Sequence, residues 1–160
     1  MTREEARKFK FSGEWLILRT LKTYTRTASG RCWKSHPDSI TREVITPREY
    51  ENYITAVPFF AGWGDGASCR TREGYTQAGR VPVEVFTTGP WNCARKVATF
   101  EIFSLSDLRE HAGARERAVL DEAETFEPFK VVPGHGLAWT LVTRDGRRAT
   151  FDEAFLRWIY

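Results

Sequence analysis

Long apolar runs are missing from the 160 residues of this chain, and with them any stretch of the roughly 18–20 residues that crosses a bilayer as a helix. The opening segment, Met1 to Lys10, is charged where a secretory leader has an apolar core, so the expectation is a cytoplasmic protein with no membrane partner. Cysteine is scarce: Cys32, Cys69 and Cys93 are odd in number and isolated from one another, which suits reduced thiols better than a disulfide framework. Lysine is scarce too, with six Lys against 18 Arg, a bias that points to a G+C-rich bacterial or phage source. Internal repeats, low-complexity tracts and Pro/Ser linkers are absent, and the length suits one domain over residues 1–160.

What is present is a globular composition, 41% hydrophobic and 28% charged, with an aromatic share of 14% that includes six Trp. The net charge of +3 is unevenly spread, because residues 1–50 carry 11 basic and six acidic side chains while residues 101–128 carry three and eight. Such asymmetry can orient a protein on a charged partner, although a charge run also serves as the solvated face of an element.

Residues 14–26 are rich in β-branched and aromatic side chains after Gly13 and read as a long strand. Residues 27–45, punctuated by Gly30, His36 and Pro37, read as an irregular excursion. Thr46-Pro47-Arg48-Glu49 has the form of a helix start: a capping hydroxyl, a proline at the first helical position, and a glutamate three residues on that returns a hydrogen bond. Residues 59–80, with five glycines, read as a long loop, and long loops in compact domains tend to carry function.

Val81 to Thr88 and Ala94 to Phe103 alternate as two antiparallel strands around Gly89-Pro90-Trp91-Asn92. Ser104 to Ala112 reads as a helix with Leu105, Leu108 and Ala112 inward and Gly113 as its C-cap, and helical character resumes from Ala114 to about Ala123. Leu137 to Thr143 and Arg147 to Phe151 flank Arg144-Asp145-Gly146 as a hairpin, with a terminal helix from Asp152 whose apolar residues, Phe155 among them, pack down. The fold class that follows is α+β: an antiparallel sheet of about five strands with two or three helices, since hairpin spacing leaves no crossover helices for a parallel sheet.

Catalytic chemistry finds little support. Cys32, His36, Cys69 and Cys93 lack the close cysteine pairs of a structural zinc site, and Cys69 with His36, His111 or His135 is the raw material of a thiol hydrolase without a spacing that brings it together. Gly62-Trp63-Gly64-Asp65-Gly66 lacks the Gly-Lys-Ser/Thr ending of a phosphate loop, and Asp121, Glu122 and Glu124 read as a solvated helix face. No metal and no cofactor are expected.

Arg19-Thr20 late in the first strand, Phe86-Thr87-Thr88 closing another, and Glu116-Arg117-Ala118-Val119-Leu120 followed by Phe126 come in an order that resembles the ADP-ribosyltransferases. The resemblance covers about a dozen scattered positions. In that family an Arg, a Ser/Thr strand and a Glu-x-Glu strand surround NAD, and Ala118 stands where the second, catalytic glutamate belongs. The resemblance implies a small NAD-using transferase as the alternative to a binding protein.

The favoured expectation is contact rather than catalysis. Phe60, Trp63, Arg70, Arg72 and Tyr75 on the long loop, with Trp91, Arg95 and Lys96 at the hairpin tip, mix aromatics with Arg. That mixture is enriched in protein-interface hot spots and also stacks on bases and contacts phosphates. The partner is a macromolecule, protein or nucleic acid, and the sequence leaves both open along with the oligomeric state.

Overall fold

The computed structural model describes residues 14–25, 35–50, 67–71, 83–88, 94–130 and 137–159. They form one nine-stranded sheet in the order β3-β4-β5-β1-β2-β6-β7-β8-β9, with every pairing antiparallel. The strands are β1 (Trp15–Thr25), β2 (Ser39–Ile45), β3 (Ala67–Thr71), β4 (Val83–Thr88), β5 (Ala94–Ser104), β6 (Ala123–Lys130), β7 (Leu137–Thr143), β8 (Arg148–Asp152) and β9 (Trp158–Ile159). Two short helices, α1 (Leu105–Glu110) and α2 (Ala114–Glu122), lie between β5 and β6. The antiparallel sheet with short helices agrees with the sequence reading, but nine strands replace the expected five. No helix among the described residues is long and apolar enough to cross a membrane.

The long strand, the β4–β5 pair and the β7–β8 hairpin stand where alternation placed them. Residues 39–45 are a strand rather than part of an excursion, because full-length pairing with β1, from Ile17↔Ile45 to Thr23↔Ser39, fixes an otherwise ambiguous run. Ala67–Thr71 is likewise a strand and not loop, paired to β4 from Ala67↔Thr87 to Thr71↔Val83. No helix follows Asp152. The Leu156 N–H reaches the Asp152 carbonyl at 2.8 Å, Leu156 takes φ 51°, and the chain turns back so that Trp158 pairs with Phe151. Phe155, expected to pack down, is 64% exposed on this turn.

Local caps explain where the helices begin. At residues 46–50 the Thr46 hydroxyl accepts from the Glu49 N–H at 3.2 Å and the Glu49 carboxylate accepts from the Thr46 N–H at 2.8 Å, the reciprocal cap foreseen from the motif. Ser104 caps α1, and His111, not Gly113, ends it; Gly113 with φ −74° is instead the N-cap of α2.

Ring contacts across the sheet define its curvature. Phe103 on β5 and Phe151 on β8 are separated by five strand spacings in the sheet order, about 24 Å if the sheet were flat. Their ring centroids are 5.0 Å apart. The sheet therefore curls into a half-barrel with this face inside. Leu16, Leu18, Phe103, Phe126, Trp139, Leu141 and Phe151 fill the curl, and Leu108 of α1 with Val119 and Leu120 of α2 complete the cluster. On the outer face Ile17, Phe100 and Ile102 are also buried, and Tyr50 meets Phe100 edge-on at 5.0 Å.

Gly146 takes φ +88° in the β7–β8 turn. Beside it the Thr143 hydroxyl and then the Arg147 guanidinium hold the Asp145 carboxyl below its ordinary value. A Cβ at Gly146 would meet nothing within 4 Å, so only the backbone resists substitution. Gly146→Ala is expected to cost about 1–2 kcal/mol, read as a lower urea midpoint with an unchanged slope; an unchanged midpoint would show that the turn tolerates a side chain at positive φ.

Candidate functional site: a polar cleft inside the curl

Along each strand that lines the curl, the inward positions change from apolar to polar in character. On β1 Leu16 and Leu18 give way to Thr20 and Lys22, on β5 Phe103 gives way to Glu101 and Thr99, and on β2 Val44 gives way to Arg42. On the far side, inward Phe151 is followed by Glu153 just beyond β8. These residues, with Pro128, Leu137 and Trp139, line a cleft of about 160 Å³.

The gap between β2 and β6 helps to open it. Those strands are paired at Glu43↔Thr125, the single pair recorded among the described residues. Arg42 and Pro128 line the cleft from the two sides of that seam. Pro128 has no N–H to give to a neighbouring strand, and proline is tolerated where pairing is incomplete.

The chemistry of the walls is unusual for a sheet interior. Glu101 and Glu153 are each 6% exposed and Trp139 is 5% exposed. Charged groups so placed are costly unless they are paired or used. The Glu153 N–H donates to the Leu137 carbonyl at 3.1 Å, which ties two cleft residues together through the backbone. The half-buried Lys22 and Arg42 make no ion pair among the described residues. The Trp139 indole N–H is buried without an acceptor, and an unsatisfied donor of that kind costs about 1–3 kcal/mol. The cleft thus holds two carboxylates, two cations without ion pairs among the described residues, an indole N–H without an acceptor and the hydroxyls of Thr20 and Thr99.

A wider depression of about 690 Å³ lies beside α1, lined by Glu14, Trp15, Ser104, Ser106, Asp107, Arg109, Glu110 and Arg117. Its groups are largely committed to one another. Arg109 binds Glu14 at 2.6 Å and Asp121 at 2.5 Å, and Ser104 and Ser106 share a hydrogen bond at 2.9 Å. Asp121, followed by Glu14, raises the Arg109 pKa above its usual value. The smaller cleft has the stronger claim because its walls include the buried Glu101, Trp139 and Glu153.

Of the residues singled out from sequence, Phe60, Trp63, Arg72, Tyr75 and Trp91 lie outside the described residues. Arg70 falls within β3, and Arg95 and Lys96 fall within β5 rather than at a hairpin tip. The strand register places Arg70 opposite Glu84, Glu84 opposite Thr99, Thr99 opposite Thr20 and Thr20 opposite Arg42. One cross-strand row therefore runs from Arg70 into the cleft. Sequence reasoning named Thr20 only within the transferase resemblance and missed Lys22, Arg42, Thr99, Glu101, Trp139 and Glu153. The available signal was Glu101, a charge set at an inward position of a strand whose flanking inward residue is Phe103.

The transferase resemblance loses its third element. Glu116 to Leu120 belong to helix α2, not to a strand, because Val119 and Leu120 are drawn into the core cluster. Arg19, for its part, is engaged by Glu43 directly across from it on β2. Among the described residues no group of three or more His, Cys, Asp or Glu is placed to hold a metal ion. Cys32, Cys93 and His135 lie outside the described residues, Cys69 is on β3, and His111 caps α1. No family model matches the chain, and neither a curated protein nor a solved structure matches it.

Proposed function

We propose that this chain is a binding protein that acts by contact with a polypeptide partner, laid along the row from Arg70 on β3 toward the cleft. The observation that carries this reading is the row itself, in which Arg70, Glu84, Thr99, Thr20 and Arg42 follow one another across five neighbouring strands. Charges of both signs in one row favour a partner that also carries both signs. A polyphosphate backbone would meet Glu84 on the row and Glu101 and Glu153 at its end. Phe60, Trp63, Arg72, Tyr75 and Trp91, named from the sequence, lie outside the described residues and are not placed on this row. Catalysis is not part of the proposal, and no cofactor is required by it.

The test is affinity capture by the tagged full chain from cells that produce it, with and without nuclease, followed by measurement of the purified pair. Arg70→Glu combined with Arg95→Glu is expected to weaken the complex by about 2 kcal/mol or more. The melting temperature of the variant, measured beside the affinity, is expected to stay within roughly 2 °C of the unaltered chain. Capture that vanishes with nuclease and falls steeply with salt would instead mark a nucleic-acid partner. An unaltered affinity in the double variant would remove the row as the contact surface.

A further inference from the structure

We infer that the cleft inside the curl holds the free C-terminal carboxylate of the polypeptide partner, an inference that rests on the reading of the row as its contact surface. Thr20 and Arg42 belong to both, since they stand in the row and line the cleft. From β3 to β2 the row crosses four strand spacings, about 19 Å and the reach of about six extended residues. A chain laid along it from Arg70 therefore comes to the cleft within a few residues. There a volume of about 160 Å³ corresponds to about five water molecules at about 30 Å³ each. A last residue fits such a space.

The donors on the lining are those a carboxylate takes. Register sets Lys22 opposite Ile40 and Thr20 opposite Arg42 on β1 and β2, so Lys22 and Arg42 are diagonal neighbours on one face, about 7–8 Å apart. Both are half-buried, and neither makes an ion pair among the described residues. Two such cations repel each other, and an anion seated between them turns the repulsion into attraction. A guanidinium fork matches the two oxygens of a carboxylate, and an ammonium adds donors that rotate to suit. Beside them Thr20 and Thr99 stand opposite each other on β1 and β5 and bring their hydroxyls to the same lining. Trp139 Nε1 adds a buried N–H without an acceptor, on a side chain that is 5% exposed and lines the cleft. Buried donors are seldom left unmet.

The remaining charges of the lining limit the ligand's own charge. Lys22 is opposite Val97 on β5 and Leu18 is opposite Glu101, which sets Glu101 about 13 Å along the strand from the Lys22 position. Glu101 and Glu153 have partners of their own, and the ligand's carboxylate is met by donors alone. With two carboxylates in the same lining, a phosphate dianion is opposed more strongly than a single negative charge between Lys22 and Arg42.

The experiment is calorimetric titration of the full chain with N-acetylglycine and N-acetyl-L-alanine, which carry a free carboxylate behind a peptide bond, beside their amides, acetate and inorganic phosphate. At least one of the two acids is expected to bind one-to-one, with its amide, acetate and phosphate each weaker by about tenfold or more. This comparison uses the unaltered chain and does not depend on any variant folding. In a proton–nitrogen correlation spectrum the same acid should move the Trp139 indole N–H resonance, which the Trp139→Phe spectrum identifies. Lys22→Gln and Arg42→Gln should each weaken the acid by about tenfold. No binding by either acid overturns the inference, and so does an amide that binds as tightly as its acid. Acetate or phosphate binding as tightly as the better acid would mark a plain anion site and overturn the polypeptide end as its occupant. The captured partner separates the cleft from the row: a tag added after its last residue should weaken the complex by about tenfold or more. An affinity that survives the tag yet falls in the Arg70→Glu and Arg95→Glu double variant leaves the row standing and removes the cleft. Failure to capture any polypeptide removes the row and, with it, this occupant.

Discussion

Phe103→Ala is expected to destabilise the folded chain by about 3–5 kcal/mol, lowering the melting temperature by roughly 6–20 °C for a chain of this size. Phe103 is fully buried on β5 and touches Phe151 of β8 at 5.0 Å and Trp139 of β7 at 6.4 Å between ring centroids. No neighbouring strand can refill the space, because β7 and β8 are β5's neighbours only through the curl and not through hydrogen bonds. Truncation therefore removes both buried area and the contact that closes the half-barrel. Phe103→Leu, which keeps most of the volume, should cost less than half as much. Thermal unfolding followed by circular dichroism reads the difference, and a loss below about 1 kcal/mol for the alanine variant would mean that the curl is held elsewhere.

The same contact shows why the architecture was only partly legible in the sequence. Elements with a local signature were readable: the alternation of β1, the Asp145-Gly146 turn between β7 and β8, and the Thr46–Glu49 cap. Elements defined by their neighbours were not. β6 carries Pro128 and lies at the end of an acidic stretch, so its sequence argues against a strand until β7 is present to pair it from Ala123↔Thr143 to Lys130↔Leu137. β2 and β3 depend in the same way on β1 and β4. β9 is two residues long and exists because Leu156 turns the chain back on β8.

The cleft was harder still to read. Its residues come from β1, β2, β5, β6, β7 and the turn after β8, and they meet only because the sheet curls. Each strand contributes one or two polar residues at inward positions, a pattern that in any single strand looks like an ordinary amphipathic edge. What distinguishes them is that Glu101 and Glu153 are inward and buried at once. Parity along β5, with Phe103 and Glu101 on the same face, places a charge in the apolar stripe, and that was visible without the fold. Its significance was not, since Lys22, Arg42 and Glu153 of the same cleft lie more than fifty positions away along the chain.

The C-terminal turn links stability to the site, and Trp158→Ala tests that link. Trp158 on β9 stacks edge-to-face on Phe151 at 5.7 Å, and its indole N–H donates to the Leu108 carbonyl of α1 at 2.6 Å. It therefore clasps the end of the sheet to the helix that caps the core. Removal is expected to cost about 2–4 kcal/mol, combining lost ring burial with a lost hydrogen bond. Trp158→Phe, which keeps the ring contact and loses the hydrogen bond, should cost about 1 kcal/mol. The chain between β8 and β9 carries Glu153 and is pinned at one end by the Asp152 N–H bond to the Arg157 carbonyl at 2.8 Å. Loosening β9 should therefore release the segment that carries Glu153 even well below the melting temperature. Urea unfolding and amide hydrogen exchange on the same sample separate the two effects: an unchanged urea midpoint would show that β9 is not a clasp, and unchanged protection of the Glu153 N–H in a destabilised variant would show that this segment keeps its place without it.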